Sequence, residues 1–192
     1  MSIEPIQIIE LDQTDPKQRG QAYGEAARER IGTILSAYRE IFHRITGETW
    51  EETVVRGKPF ILKANAFAPD LVEEIQGISE GAGRAFEDIF LLNARSEILF
   101  NPQVLAQECT TMAALPEVTK NGDMMLAQNW DWYSALEPEP ILLRIRQPDR
   151  PEILTLCEAG QVGKIGLNKA GLGVCLNFLS HEDQGRGLPV HI

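Results

Sequence analysis

Cys109 stands where the chain changes from helix-patterned to strand-patterned sequence, between Glu108 and the pair Thr110, Thr111. A lone cysteine is either a small apolar filler or a nucleophile. The residues that follow favour chemistry. Asn121-Gly122 is a strong two-residue hairpin signal, and the return strand ends in Asn129-Trp130-Asp131. A strand begun at Cys109 and reversed at Asn121-Gly122 brings Asp131 back beside the thiol. An acid and a thiol held together are the ingredients of nucleophilic catalysis. No Cys–His pair is apparent. His43, His181 and His191 show no metal-ligand spacing, and His181 and His191 read as surface or packing residues. Cys157 and Cys175 lie inside apolar strand runs and read as buried filler. The segment Gly163 to Gly173 is glycine-rich without the lysine-bearing phosphate-loop pattern, so no nucleotide or other cofactor is expected.

The elements that must position these residues fall into two kinds. Ile6, Ile8 and Ile9 predict a short strand. Asp15 and Pro16 then predict a helix start, and apolar residues from Ala22 to Ile41 continue it over 15–44. Gly20 and Gly24 sit four apart on that helix and read as a packing notch. Thr49 and Glu52 have capping-box spacing. Residues 69–80 and 86–100 are helical in pattern, broken at Gly81-Ala82-Gly83. From about residue 109 short apolar runs alternate with turn signals, as in antiparallel hairpins. This predicts an α+β fold, with one sheet built largely from residues 109–178 and helices 15–44 and 69–98 packed on it.

The bulk properties narrow the function. The 192 residues suit one domain able to bury a full core. A net charge of −10 speaks against nucleic acid as a partner. The start lacks a basic region ahead of an apolar core, and no run approaches a membrane span, so neither secretion nor a membrane partner is expected. Three widely spaced cysteines without a CxxC pair fit a reducing, cytoplasmic setting and no metal.

Several segments, in order, resemble the acyl-coenzyme A:6-aminopenicillanic acid acyltransferase family, cysteine members of the N-terminal nucleophile hydrolases. They are Cys109-Thr110-Thr111, Gln128-Asn129-Trp130-Asp131, Glu158-Ala159-Gly160 and the run from Gly163 to Asn168. The likeness continues through Ala170 to Val174, Leu176-Asn177-Phe178 and Leu188 to Ile192, with Arg19-Gly20 and Gly24 in the helical half. The resemblance implies an αββα sandwich, here incomplete. Residues 1–108 would be a propeptide-like α segment and 109–192 the start of the catalytic segment, within one structural domain whose C-terminal half lies beyond these residues. It implies self-cleavage at Glu108–Cys109. The freed α-amine of Cys109, with a reference pKa of ~8, would be the base for its own thiol. By the same resemblance Asp131 holds that amine and Asn177 stabilises an oxyanion. Trp130, Trp132 and Tyr133 are, by their type, either walls of an acyl pocket or core packing. The substrate would be a small-molecule amide or acyl donor, attacked through a thioester on Cys109. A half-sandwich would also form a homo-oligomer or associate with its C-terminal half. The competing expectation is a catalytically silent homologue that serves as a binding or assembly half.

Overall fold

The computed structural model describes residues 6–99, 109–137, 139–178 and 187–192. Glu108 and His181 lie outside the described residues. Strand β1 (Gln7–Leu11) leads into helix α1 (Pro16–Ala26). Pro16 sits at the first helical position, and the Asp15 side chain accepts from the Gln18 N–H at 2.8 Å. The helix expected over 15–44 is two helices. Ala27 (φ −110°, ψ 12°) breaks the path, and α2 (Arg28–Thr46) follows. The break lets α1 lie along a neighbouring helix while α2 turns Ile31, Ile34, Leu35, Tyr38, Ile41 and Phe42 into the core. Helix α3 (Trp50–Phe67) begins with a reciprocal cap. Thr49 Oγ1 accepts from the Glu52 N–H, and the Glu52 carboxylate accepts from the Thr49 N–H. Helices α4 (Pro69–Ala82), α5 (Phe86–Asn93) and α6 (Arg95–Leu99) complete the α layer.

The strands after it are β2 (Thr110–Ala114), β3 (Met125–Asn129), β4 (Pro140–Gln147), β5 (Arg150–Glu158), β6 (Ile165–Asn168) and β7 (Gly173–Val174). The single sheet expected over 109–178 is instead two. One is the antiparallel hairpin β2–β3; the other has five strands in the order β1-β4-β5-β6-β7. The reason is β1. Its buried Ile9 and Leu11 extend the apolar face that β4 forms with Ile141, Leu143 and Ile145, so β1 takes the free edge of β4 in parallel. That face belongs to the same core cluster as the buried residues of α2, and each buried Ile or Leu contributes about 1.5–3 kcal/mol of burial. The hairpin keeps Met112, Met124, Met125 and Leu126 exposed. The two sheets approach where the Leu126 side chain covers Gly173. Among the described residues no helix is long and apolar enough to cross a membrane.

Helices α1 and α4 meet through glycines from both sides. A Cβ at Gly20 or Gly24 would strike the Glu74 or Ile78 carbonyl, and one at Gly77 or Gly81 the Lys17 or Gln21 carbonyl. The backbones therefore touch over two turns. Gly77→Ala should lower stability by about 1–3 kcal/mol, because the obstacle is backbone that cannot step aside. Alanine is the better helix former by about 1 kcal/mol, so a drop in Tm isolates the steric cost. An unchanged or raised Tm would mean the two helices part freely.

Candidate active site

Hairpin register sets the first two groups. Thr110 pairs with Asn129, so the residues one step beyond, Cys109 and Trp130, face each other, and Asp131 follows. Cys109 is half-buried and Asp131 exposed. Both line a cavity of about 30 Å³, together with Trp130, Trp132, Lys164 and Leu176. That is room for one or two water molecules. A second cavity of about 280 Å³ adjoins it, sharing Trp130, Asp131 and Trp132 and walled further by Tyr133 and Leu136. A larger hollow, about 940 Å³, opens elsewhere, between α1, α4 and the β4–β5 turn. It contains no thiol, and its buried charges, Arg19 and Glu74, neutralise each other at 2.7 Å.

Asn177 reaches the same place from the far end of the chain. Its Nδ2 donates to the Cys109 carbonyl at 3.4 Å, and its Oδ1 accepts from the Thr111 hydroxyl. The Cys109 carbonyl can only accept, which fixes the NH2 end of the amide toward Cys109, and the Thr111 hydroxyl then donates to the other end. Gln128 holds this segment in line. Its Nε2 donates to the Leu176 carbonyl at 2.6 Å and its Oε1 accepts from the Leu176 N–H at 3.0 Å, a side-chain copy of a strand pairing. Cys109 and Asp131 thus share one cavity, and Asn177 is tied to the Cys109 backbone beside it. Trp130, Trp132 and Tyr133 line the larger cavity. Cys157 is wholly buried, and burial pushes its thiol up to about 12, which leaves it inert. Cys175 is half-buried and lies just past β7 rather than inside a strand, which corrects its reading as buried filler.

Beneath the small cavity lies a buried ionic cluster. Arg95 and Glu158 are 1% and 0% exposed and bonded through both the Nε and Nη2 of the arginine. Tyr38 donates to Glu158 Oε1 at 2.5 Å and accepts from Trp132 Nε1 at 2.7 Å. Burial raises its phenol well above the ordinary value, so it remains a donor. Arg95 Nη1 donates to Ser96 Oγ and to His191 Nε2 at 2.8 and 2.9 Å. His191 is therefore neither a surface nor a simple packing residue; it is 7% exposed and caps the arginine. Arginine can only donate, so His191 carries its proton on Nδ1, which has no partner among the described residues. Burial and then Arg95 hold its pKa well below the ordinary value. Lys164 Nζ stands 3.9 Å from Glu158 and 3.2 Å above the Trp130 ring. One carboxylate faces two cations. The 158–162 turn that presents them is pinned from the helices. Tyr23 accepts from the Gly160 N–H at 2.7 Å, and Asn93 donates to the Gly160 carbonyl at 2.9 Å.

Sequence reasoning missed Arg95, Tyr38, Glu158 and Lys164 as site groups. The available signal was a charge inside an apolar run: Arg95 within Leu91–Leu99, and Glu158 between Cys157 and Ala159.

Helices and mixed sheets around this seam define an α+β protein. Over 183 residues it is 34% identical to the acyl-coenzyme A:6-aminopenicillanic-acid-acyltransferase 40 kDa form of Emericella nidulans, a match covering 94% of this chain and 50% of that protein. The chain belongs to the acyl-coenzyme A:6-aminopenicillanic acid acyltransferase family and spans about half the length of this curated relative. No protein-family model matches it.

The cluster yields two expectations. Glu158→Gln leaves the buried Arg95 without its counter-charge and should cost about 3–5 kcal/mol in denaturant unfolding; a loss under 1 kcal/mol would show that the pair is dispensable. His191 supplies a pH signature. Its folded pKa is depressed, so below its ordinary value of 6.5 the unfolded chain takes a proton the folded one refuses. Its contribution is complete above that value and drains away as pH falls. His191→Gln, whose carbonyl can still accept from Arg95, should flatten the loss of Tm between pH 7 and pH 5. An unchanged slope would remove His191 as its source.

Proposed function

We propose that the chain bears the nucleophile of an autoprocessing cysteine N-terminal nucleophile hydrolase, an amidohydrolase or acyltransferase working through a thioester on Cys109. The observation that carries this reading is that Cys109 and Asp131 line one small cavity while Asn177 donates to the Cys109 carbonyl. The family relative, named as an acyltransferase, supports the reaction class. Two separate sheets, with apolar residues left open on the hairpin, support an αββα sandwich completed by further strands or a second chain. Free cysteines throughout the described residues fit a cytoplasmic setting.

The chemistry follows from the residues. The Cys109 sulfur attacks the Glu108 carbonyl carbon, the acyl group passes from nitrogen to sulfur, and water hydrolyses the thioester. The freed α-amine then takes the thiol proton in each turnover. Asp131 holds that amine by a charge-assisted hydrogen bond. Asn177 offers an N–H beside the nucleophile, which is what a tetrahedral oxyanion requires. The adjoining cavity of about 280 Å³ accepts a small acyl group on Trp130, Trp132 and Tyr133; its volume is near the lower limit of about 300 Å³ for ligand pockets.

Denaturing mass spectrometry tests the cut: these 192 residues should give pieces of 108 and 84. An intact chain carrying full-length sequence would favour the silent assembly role. In the full-length gene product Cys109→Ala should abolish processing and acyl-enzyme formation, and Cys109→Ser should leave processing slow, since a hydroxyl is far less ionised. Asp131→Asn should retain the fold and lower turnover by about 10²-fold or more. Activity that survives Cys109→Ala but not Cys157→Ala or Cys175→Ala would overturn the assignment.

A further inference from the structure

Self-cleavage poses a problem that later turnover does not. Before the cut, the Cys109 nitrogen is a peptide amide and has no lone pair free to take the thiol proton. Another base must serve that first step. The walls of the small cavity offer few. A guanidinium does not give up its proton, which removes Arg95. His191 does not line it, and its Nε2 is engaged by Arg95. A carboxylate is in general too weak a base to draw a thiol proton in useful yield.

Resting on the self-cleavage reading above, we propose that Lys164 is the base for the first, self-cleaving reaction of Cys109. Lys164 and Cys109 line the same cavity of about 30 Å³, so the amine reaches the thiol directly or through one water. The Lys164 side chain is only 4% exposed. Glu158 is already bonded by Arg95, which offsets its charge and leaves the ammonium form of Lys164 without a counter-charge of its own. Burial, and then the Arg95 charge, push the lysine down to about 7, so much of it is free amine near neutrality. Once protonated, the ammonium has a seat on the Trp130 face, 3.2 Å from the ring centre. The titratable and charged groups around it are Arg95, Glu158, Cys157, Cys109, Asp131 and His191.

The step balances without a further reagent. The Cys109 thiol proton moves to Lys164 Nζ. The sulfur bonds to the Glu108 carbonyl carbon as the bond from that carbon to the Cys109 nitrogen breaks. The Lys164 proton then passes to the departing nitrogen, giving a thioester and a free α-amine. Water next adds to the thioester carbon, the carbon–sulfur bond breaks, and the thiol recovers a proton. Lys164 ends as it began, and the new α-amine is available for turnover.

The test follows the rate of Glu108–Cys109 cleavage by mass spectrometry in the full-length gene product, from pH 5.5 to 9. The wild-type rate should rise with pH and level off above about 7, as Lys164 loses its proton. Lys164→Arg keeps the charge and the ring contact but cannot act as a base. It should slow cleavage by about 10²-fold or more and lose the inflection near 7, with a Tm close to wild type. Lys164→Met should do the same and removes the charge as well. Wild-type cleavage in Lys164→Arg would overturn the base role and leave only a charge effect. A wild-type rate with no inflection near 7 would overturn it independently of any variant. Both results leave Cys109 as the nucleophile. Absence of the cut in the wild type, by contrast, would refute the self-cleavage reading itself.

Discussion

The buried pair of Arg95 and Glu158 is the contact on which the rest of the site depends. It joins the last helix of the α layer to the end of β5, and its two groups are all but inaccessible to water. Taking both charges out of water costs several kcal/mol each, and the attraction between them offsets that only when the remaining valences are filled. Tyr38, Ser96 and His191 fill them. Each of these comes from a different stretch of chain, so a single ionic contact draws α2, α6, β5 and the residues at 187–192 to one point. Trp132 follows through its hydrogen bond to Tyr38 and carries the end of the hairpin with it.

The helical layer reaches the cavity by a second route. Glycines on α1 and α4 allow the two backbones to touch, and that contact sets the height of Tyr23. The Tyr23 hydroxyl in turn accepts from Gly160 and donates to the Gln161 carbonyl at 3.1 Å. Gly160 occupies the left-handed region at φ 98°, the conformation the turn needs between Glu158 and Val162. A close helix contact far from Cys109 thereby decides where Glu158 and Lys164 stand. The lowered proton affinity of Lys164 is a product of this geometry: it is buried beside Arg95, and both converge on one carboxylate because the turn and α6 are each held independently.

The candidate site was legible in the sequence only along its local part. Cys109 and Asp131 could be brought together from the Asn121-Gly122 turn alone, since hairpin register is a short-range property with a period of two. Asn177 entered through the family resemblance, as spacing says nothing about a residue 68 positions from its partner. The break at Ala27 was invisible because both sides of it share one helical period, and the direction of α1 is chosen by α4.

What the sequence determined by itself was the kind and order of elements: a strand, a helical stretch, then hairpins. Helix caps at Asp15 and Thr49 and the apolar periods of α2 and β4 are written within a few residues of each other. Tertiary structure alone decided how the strands divide into sheets, because β1 and β4 lie more than a hundred residues apart and pair only through a shared buried face. It alone also decided the ionic cluster. An arginine, a glutamate, a tyrosine and a lysine scattered along a chain carry no mark of their meeting. Their proton affinities arise from burial and mutual distance, and both exist only once the chain has folded.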